Sequence, residues 1–218
     1  MRKYLVLCVL TLLTLPSCLT IVQSLVTHDN IITDNRMYGL WIGPGTKSIL
    51  VQKLMNSKLK NLFIEAEYKG YTSEDSVFYT KLSVISFREN NLEYTWLAGL
   101  VKIKDHYYLN LKPEECLSTN GKEAYRLNGR DFLITSSIAK LEWKNNNTLL
   151  LTFLNGNFIK EIILNGKARI NHEYDPLFDT FVITASSQEL QQFLEKYGNN
   201  ESLFKGGNTI TITLTRKT

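Results

Sequence analysis

The amino-acid sequence predicts a mainly β protein: an antiparallel barrel or curved sheet with two short accessory helices. Apolar and polar residues alternate with a period of two along many short segments, and polar turns separate these segments. Hydrophobic residues make up 44% of the 218 residues, which is typical of a globular domain rather than a disordered chain. Alternation with one polar face favours antiparallel strands, because such sheets can contact water on one side.

The first segment of the chain has the order of an export signal. Arg2 and Lys3 supply positive charge, and an apolar run of about 12 residues follows from Tyr4 to Leu15. This run is too short to cross a bilayer as a permanent helix, which needs about 20 residues.

The end of this segment, Leu15-Pro16-Ser17-Cys18, resembles the bacterial lipobox. In a lipobox the cysteine receives a lipid, such as palmitate, and becomes the mature N-terminus. Pro16 departs from the usual Ala, Ser, Thr or Val. The resemblance implies that residues 1–17 are a lipoprotein signal peptide and that Cys18 is the lipidation site. The alternatives are an ordinary cleaved signal or a retained hydrophobic N-terminus.

The three cysteines agree with lipidation. Cys8 would leave with the signal and Cys18 would carry lipid, so only Cys116 would remain as a thiol and no internal disulfide could form. Glu114 and Glu115 precede Cys116, and their charge would disfavour its thiolate, which is the nucleophilic form. We therefore assign Cys116 no catalytic role.

Residues 18–35 mix polar residues with isolated aliphatic ones and have no sustained period. We interpret them as a tether between the membrane and the domain. The alternative is a first strand folded into the domain through Ile21, Val22 and Leu25. Residues 36–218 contain no repeat and no Pro/Gly-rich linker, which favours a single β-rich domain.

Strands are predicted throughout this domain. Alternating faces are clearest at Leu62–Lys69, Ala139–Lys144 and Ala168–Tyr174, and in the last strand, where Ile210, Ile212 and Leu214 are expected to point inward. Further candidates are Tyr38–Ile42, Lys47–Met55, Val77–Arg88, Leu92–Lys102, His106–Leu111 and Thr148–Leu154.

Two helices are predicted late in the chain. Ser186 and Glu189 fit a capping box that precedes an apolar stripe, and Gly198 is a stop signal. Asn157–Leu164 has a similar apolar stripe before Gly166. Both helices are expected to pack on the sheet or to plug one end of a barrel.

The charge and the histidines exclude several classes of function. The net charge is +4, and basic residues alternate with acidic ones, so the pattern predicts no nucleic-acid partner. His28, His106 and His172 are scattered, and Glu173 points away from His172 on a strand, so no metal site, cofactor or catalytic group is predicted. We expect His172 to be a hydrogen-bonded core residue.

Gly39-Leu40-Trp41, placed ahead of a series of strands, resembles the Gly-x-Trp of the lipocalins. In that family the tryptophan closes one end of an eight-stranded barrel, and a helix before the final strand is similar too. No second lipocalin motif matches. The resemblance implies that Gly39 and Trp41 close a barrel around an apolar ligand. Six aromatic residues are numerous enough to line a cavity or to fill a solid core, namely Tyr79, Phe87, Tyr94, Trp96, Tyr107 and Tyr108.

A larger part of the chain, including "LAGLVKIKDHYYLNLKP" and "ITASSQELQQFLEKYGNNESLF", resembles uncharacterised bacterial secreted or lipid-anchored proteins. That resemblance carries no catalytic residues. It implies a non-catalytic envelope lipoprotein with a binding or structural role and with an envelope protein or an apolar ligand as partner. A lipocalin-like carrier is the alternative, and a hydrolase is third. Leu19 follows Cys18, whereas Asp at that position retains enterobacterial lipoproteins in the inner membrane, so the outer membrane is favoured.

Overall fold

The computed structural model describes residues 19–60, 73–89, 92–118, 124–126, 135–206 and 209–217. Eight antiparallel strands in this part of the chain close into a β-barrel, and three short helices accompany it. The prediction of a mainly β fold is confirmed. The helices are α1 (Ser73–Lys81), α2 (Gly156–Leu164) and α3 (Ser187–Tyr197).

The strands are numbered along the chain. They are β1 (Thr20–Ile21), β2 (Ile31–Ile32), β3 (Gly39–Ile42), β4 (Ser48–Lys53), β5 (Ser83–Glu89), β6 (Leu92–Ile103), β7 (His106–Ser118), β8 (Ala124–Arg126), β9 (Ser137–Asn145), β10 (Thr148–Phe153), β11 (His172–Asp175), β12 (Thr180–Ile183) and β13 (Thr211–Arg216).

The barrel follows the order β6-β5-β4-β3-β13-β10-β9-β7, and pairing of β7 with β6 closes the ring. β6 and β7 form a long hairpin whose register runs from Leu92 opposite Ser118 to Ile103 opposite His106. Beyond the ring pairings, β6 also pairs with β2 and β7 also pairs with β8, and β2 and β8 lie outside the ring. A separate three-stranded sheet has the order β1-β12-β11. Closure leaves the eight ring strands without a free edge over their paired length.

Alternation along the ring strands divides the buried apolar residues between two clusters. The interior cluster lies inside the barrel and contains Met37, Trp41, Val51, Ala98, Leu100, Leu109, Leu111, Ala139, Leu141, Leu149, Leu151 and Leu214. The outer cluster lies on the other face of β5, β6, β7 and β9, where Val84, Leu97, Val101, Tyr108 and Ile138 meet the N-terminal segment, α2 and α3. The helices therefore cover the barrel wall from outside.

Both predicted helices form, α2 from Gly156 and α3 from Ser187. The Ser186–Glu189 capping box is present, and α3 buries Leu190, Phe193 and Leu194. Gly198 ends α3 with an ordinary right-handed φ of −61°, so the left-handed conformation is not what requires glycine there. A Cβ at Gly198 would lie 2.3 Å from the Tyr108 hydroxyl, and close packing is the reason for glycine.

The helix α1 corrects the prediction of one strand over Val77–Arg88. Residues 73–81 are helical, and β5 begins only at Ser83. The number of accessory helices is thus three rather than two.

The structure also differs from the tether interpretation of residues 18–35. From Leu19 onward this segment packs on the barrel and buries Ile21, Leu25, Val26 and Ile31. The backbone N–H of Leu25 donates to Oδ1 of the buried Asn110 at 2.9 Å, and β2 pairs with β6. Gly99 makes room for this segment, because a Cβ there would lie 2.7 Å from a Val26 methyl carbon. The alternative of a folded first segment is the one observed.

Two predicted strand faces are only partly present. Of Ala168–Tyr174, only the last residues form β11, although Ala168 and Ile170 are buried. Ile210 is exposed and precedes β13, whereas Leu214 is buried as predicted. The predicted strand Leu62–Lys69 lies outside the described residues. Within the part described, no helix is long and apolar enough to cross a membrane.

Candidate ligand cavity

One half of the barrel interior holds an apolar cavity of about 290 Å³. The strand ends that surround it are the end of β5, the start of β6, the end of β10 and the start of β13, together with the β3–β4 turn. The residues that line it are Pro44, Lys47, Ile49, Ile85, Phe87, Trp96, Leu111, Leu151, Phe153, Ile212 and Leu214. We call this end of the barrel the cavity end and the other the packed end.

The cavity arises because inward-facing side chains at this end do not fill the space between opposite walls. Leu111, Leu151 and Leu214 are buried, but Ile49, Ile85, Trp96, Phe153 and Ile212 keep part of their surface open toward the interior. Successive inward positions on β10 show the transition from Leu149, which belongs to the packed interior, through Leu151 to Phe153. The walls are therefore made by the same alternation that builds the barrel.

Aromatic rings form one side of the cavity. The Phe87 ring stacks on Tyr94 with a centroid separation of 5.0 Å, and it meets Trp96 edge-on at 5.9 Å. Tyr94, Trp96 and the neighbouring Ala98 are on the same face of β6, so the aromatic side continues into the interior cluster. Such edge-on and stacked pairs restrain one another and give the cavity a fixed wall.

Charge is nearly absent from the cavity. Lys47, just after the β3–β4 turn, is the one ionisable side chain among the described lining residues. An ion buried among apolar walls without partners would lose its hydration at high cost, so this cavity is suited to an apolar occupant.

Trp41 lies at the packed end, where it is fully buried. Its indole N–H donates to the Met37 carbonyl at 2.8 Å, and the Arg216 guanidinium covers the ring at 4.4 Å from the centroid. Gly39 has a φ of +127°, a conformation that L side chains rarely adopt, and a Cβ there would lie 2.9 Å from Arg216 Nη1. Gly39 therefore lets Arg216 reach the backbone.

Arg216 ties the last strand to the start of the barrel. Its Nη1 donates to the Tyr38 carbonyl at 2.9 Å, and its Nη2 donates to the Arg36 carbonyl. A guanidinium over an indole face is a favourable cation–π contact. The packed end is thus fixed by one arginine that bonds the backbone and stacks on Trp41.

A second arginine lies beside this contact. The Arg36 guanidinium is 4.6 Å from the ring centroid of Trp143 and pairs with Asp34 at 2.6 Å. Partial burial acts to raise the pKa of Asp34, but its hydrogen bonds with Arg36 and the Arg36 charge outweigh burial and hold that pKa below its usual value. Asp34 also accepts from the Arg36 N–H and so caps the short 3₁₀ turn Asn35–Met37.

The histidines do not converge on one another. His28 pairs with Asp75 at 3.1 Å, His106 bonds to Asn199, and His172 bonds to the Ile170 carbonyl at 2.9 Å. His172 is half-buried against Phe181, close to the expected role of a hydrogen-bonded residue. Among the residues that the structure describes, no group of three or more metal-ligating side chains comes together.

The predicted site residues fall in different places. Cys18 lies outside the described residues, and the backbone of Cys116 belongs to β7 while its side chain is not described. Gly39 and Trp41 lie at the packed end, so they do not touch the cavity.

Only Phe87 and Trp96 of the six aromatic candidates line the cavity. Tyr79 and Tyr108 pack in the outer cluster, and Tyr107 joins the interior cluster away from the cavity. Sequence reasoning did not identify the aliphatic side of the cavity. Its residues, among them Ile85, Leu151 and Ile212, lie at alternating positions of their strands, so the period-two pattern was the available signal.

Comparisons of this chain with protein-family models, with curated proteins and with solved structures gave no match.

Proposed function

We propose that this protein is a non-catalytic carrier that holds an apolar small molecule or lipid chain in its barrel and is tethered to a bacterial envelope membrane by a lipid on Cys18. The observation that supports binding most directly is the apolar cavity at one end of a closed barrel. Binding sites for small molecules are concave and mostly apolar, with few polar groups.

The walls of the cavity define the class of ligand. A volume of about 290 Å³ is just below the range of about 300 to 1,000 Å³ seen for small-molecule sites. The occupant is therefore small, or it is one chain of a larger lipid. It is apolar over most of its length, because nearly all of the lining side chains are apolar.

A titration with a fluorescent fatty-acid probe tests this proposal. Ile85→Trp places a large ring in the cavity and should weaken probe binding at least tenfold. Leu50→Trp is the matched control, because Leu50 lies on the adjacent strand, opposite Ser86, with its side chain 40% exposed on the outer wall. Circular dichroism checks that both variants fold, since overpacking costs about 1 to 3 kcal/mol. Equal probe affinity in all three proteins would reject the cavity as the binding site.

The anchor follows from the lipobox-like sequence and is tested separately. Replacing Cys18 with Ser should abolish labelling by radioactive palmitate and leave an uncleaved precursor or soluble protein. An intact N-terminus upstream of Cys18 in the wild-type protein would refute the anchor without bearing on the cavity. We favour the outer membrane on the basis of Leu19, and fractionation of the two membranes tests that placement.

A binding or structural role toward an envelope protein is the second candidate. It is favoured by exposed apolar side chains outside the cavity, among them Val77 and Ile210. A hydrolase is third, and a variant that keeps its stability but loses a measured hydrolytic activity would revive it.

A further inference from the structure

The turn between β11 and β12 exposes two adjacent apolar side chains. Leu177 is 82% exposed and Phe178 is 75% exposed, the largest values among the large hydrophobic residues that the structure describes. Isolated exposed apolar residues are common on protein surfaces, but two at the tip of one hairpin form a local apolar projection.

The turn is held in place by polar contacts at its base. The Asp175 carboxylate accepts from the backbone N–H groups of Leu177 at 2.8 Å and of Phe178 at 3.4 Å. Asp179 accepts from the Tyr174 hydroxyl at 3.0 Å and from Lys160 of α2. Both carboxylates are thus engaged within the protein, so the two apolar side chains are presented at a fixed tip.

The first strand, β1, enters its sheet from the side of the β11–β12 turn. β1 is parallel to β12, with Thr20 opposite Val182 and Ile21 opposite Ile183. Because the strands are parallel, extended chain continuing backward from β1 would run beside β12 in the direction of Asp179 and Phe178. Cys18 is two residues from Thr20, a reach of about 7 Å for extended chain.

We propose that the Asp175–Asp179 turn is a membrane-contact site, in which Leu177 and Phe178 enter the lipid surface that holds the lipid on Cys18. The inference rests on the proposed anchor, since extended chain continuing backward from β1 would bring Cys18 toward the turn. Leu and Phe are side chains that bury at the boundary between headgroups and acyl chains. With two carboxylates in the turn, the contact depends on apolar insertion, and zwitterionic lipids suffice for it.

The contact orients the protein. A lipid on Cys18 alone leaves the domain free to rotate about its attachment. A second contact at the turn fixes the face that contains the β1-β12-β11 sheet toward the membrane.

A site-specific fluorescent label tests the contact. The full chain is produced in a bacterium with Leu177→Cys and Cys116→Ser, so that acylated Cys18 leaves one free thiol, and it is labelled with an environment-sensitive dye. In phosphatidylcholine vesicles the dye should shift to the blue and be quenched at least threefold more by brominated lipid than the same dye at Leu50→Cys. Equal, water-like emission at both positions would overturn the proposal, as would an equal blue shift at both.

A separate measurement distinguishes failure of the lipid anchor from failure of the membrane contact at the turn. Mass spectrometry of the N-terminus shows whether Cys18 carries an acyl group. If it does not, the anchor is rejected, and the dye at position 177 is measured on a chain that carries Cys8→Ser and Cys18→Ser as well, so that position 177 holds the one free thiol, mixed with the same vesicles. A blue shift there, abolished when Phe178→Ser is added, would keep the turn as a membrane contact, and the absence of a shift would reject it.

Discussion

At the scale of single residues, Trp41 connects three parts of the packed end. Its ring lies inside the barrel, its N–H bonds the turn before β3, and its face carries Arg216 of the last strand. Truncating a buried aromatic loses both apolar burial and packing, and here it would also leave the Met37 carbonyl without its indole N–H donor and remove the ring that Arg216 covers.

We therefore expect Trp41→Ala to lower the free energy of unfolding by about 3 to 5 kcal/mol, measured by urea denaturation. Trp96→Ala is a useful control, because Trp96 borders open space in the cavity and its loss should cost less. In a protein with Phe at positions 96 and 143, Trp41 emission should be blue-shifted and resistant to quenchers. A readily quenched, red-shifted signal with little loss of stability would contradict the role of Trp41.

Tyr108 is a different kind of buried residue. It projects from β7, is fully buried, and lies beside Gly198 at the end of α3. Its hydroxyl has no hydrogen-bond partner among the described residues. Burial raises the pKa of Tyr108 to about 12. Because an unfolded tyrosine ionises near pH 10, the folded state is favoured below that pH and loses this advantage as the pH rises toward 12.

We expect Tyr108→Phe to be neutral or stabilising at pH 7, because it removes a buried polar group that has no partner. The variant should also lose less stability than the wild type between about pH 10 and pH 12. Urea denaturation across this range measures both effects, with Tyr107→Phe as the neighbouring control. A large loss of stability at neutral pH would show that the hydroxyl has a partner.

At the scale of elements, local signals predicted the capped helices well and the N-terminal segment poorly. Ser186 with Glu189 is a side-chain cap whose chemistry is local, so the sequence is sufficient to find it, whereas α2 was predicted from its apolar stripe and the structure adds Asn155 as its cap. Residues 19–35 pack through isolated aliphatic residues that have no period. Their positions depend on distant features such as Gly99 and Asn110, and no local pattern reports these.

The ion pair between Asp34 and Arg36, at the turn before β3, is expected to depend on pH. Since Arg36 holds the pKa of Asp34 below that of an unfolded aspartate, the ionised pair stabilises the fold above about pH 4. This contribution is lost as the pH falls through the lowered pKa of Asp34. The short turn and the Arg36–Trp143 contact should then loosen together.

Asp34→Asn tests this directly, because an amide oxygen can still cap the Arg36 N–H but cannot form the ion pair. The variant should be less stable than the wild type at pH 7, and the two stabilities should converge as the pH falls below the Asp34 pKa. Urea denaturation at several pH values is the measurement. A constant difference down to pH 2 would show that the ion pair does not contribute.

At the scale of the whole molecule, alternation predicted an antiparallel barrel or curved sheet and left open whether its interior is filled or hollow. Leu149 and Phe153 are both inward apolar residues of β10, yet one belongs to the packed interior and the other borders open space. Whether inward side chains meet across a barrel depends on the register and tilt of all eight strands, and residue types alone do not specify these. Trp41 was predicted as a large buried ring, but the sequence did not indicate that Arg216 would cover it.

The central claim is that the cavity holds an apolar ligand, and native mass spectrometry of protein purified without denaturation tests it most directly. The wild-type protein should carry a mass adduct that extracts into organic solvent as an apolar molecule or lipid, and Leu50→Trp should carry the same adduct. Ile85→Trp should be free of it, because the new ring occupies the cavity. An adduct that persists unchanged on Ile85→Trp, or a wild-type protein that carries none and takes up none from a lipid extract, would contradict the account.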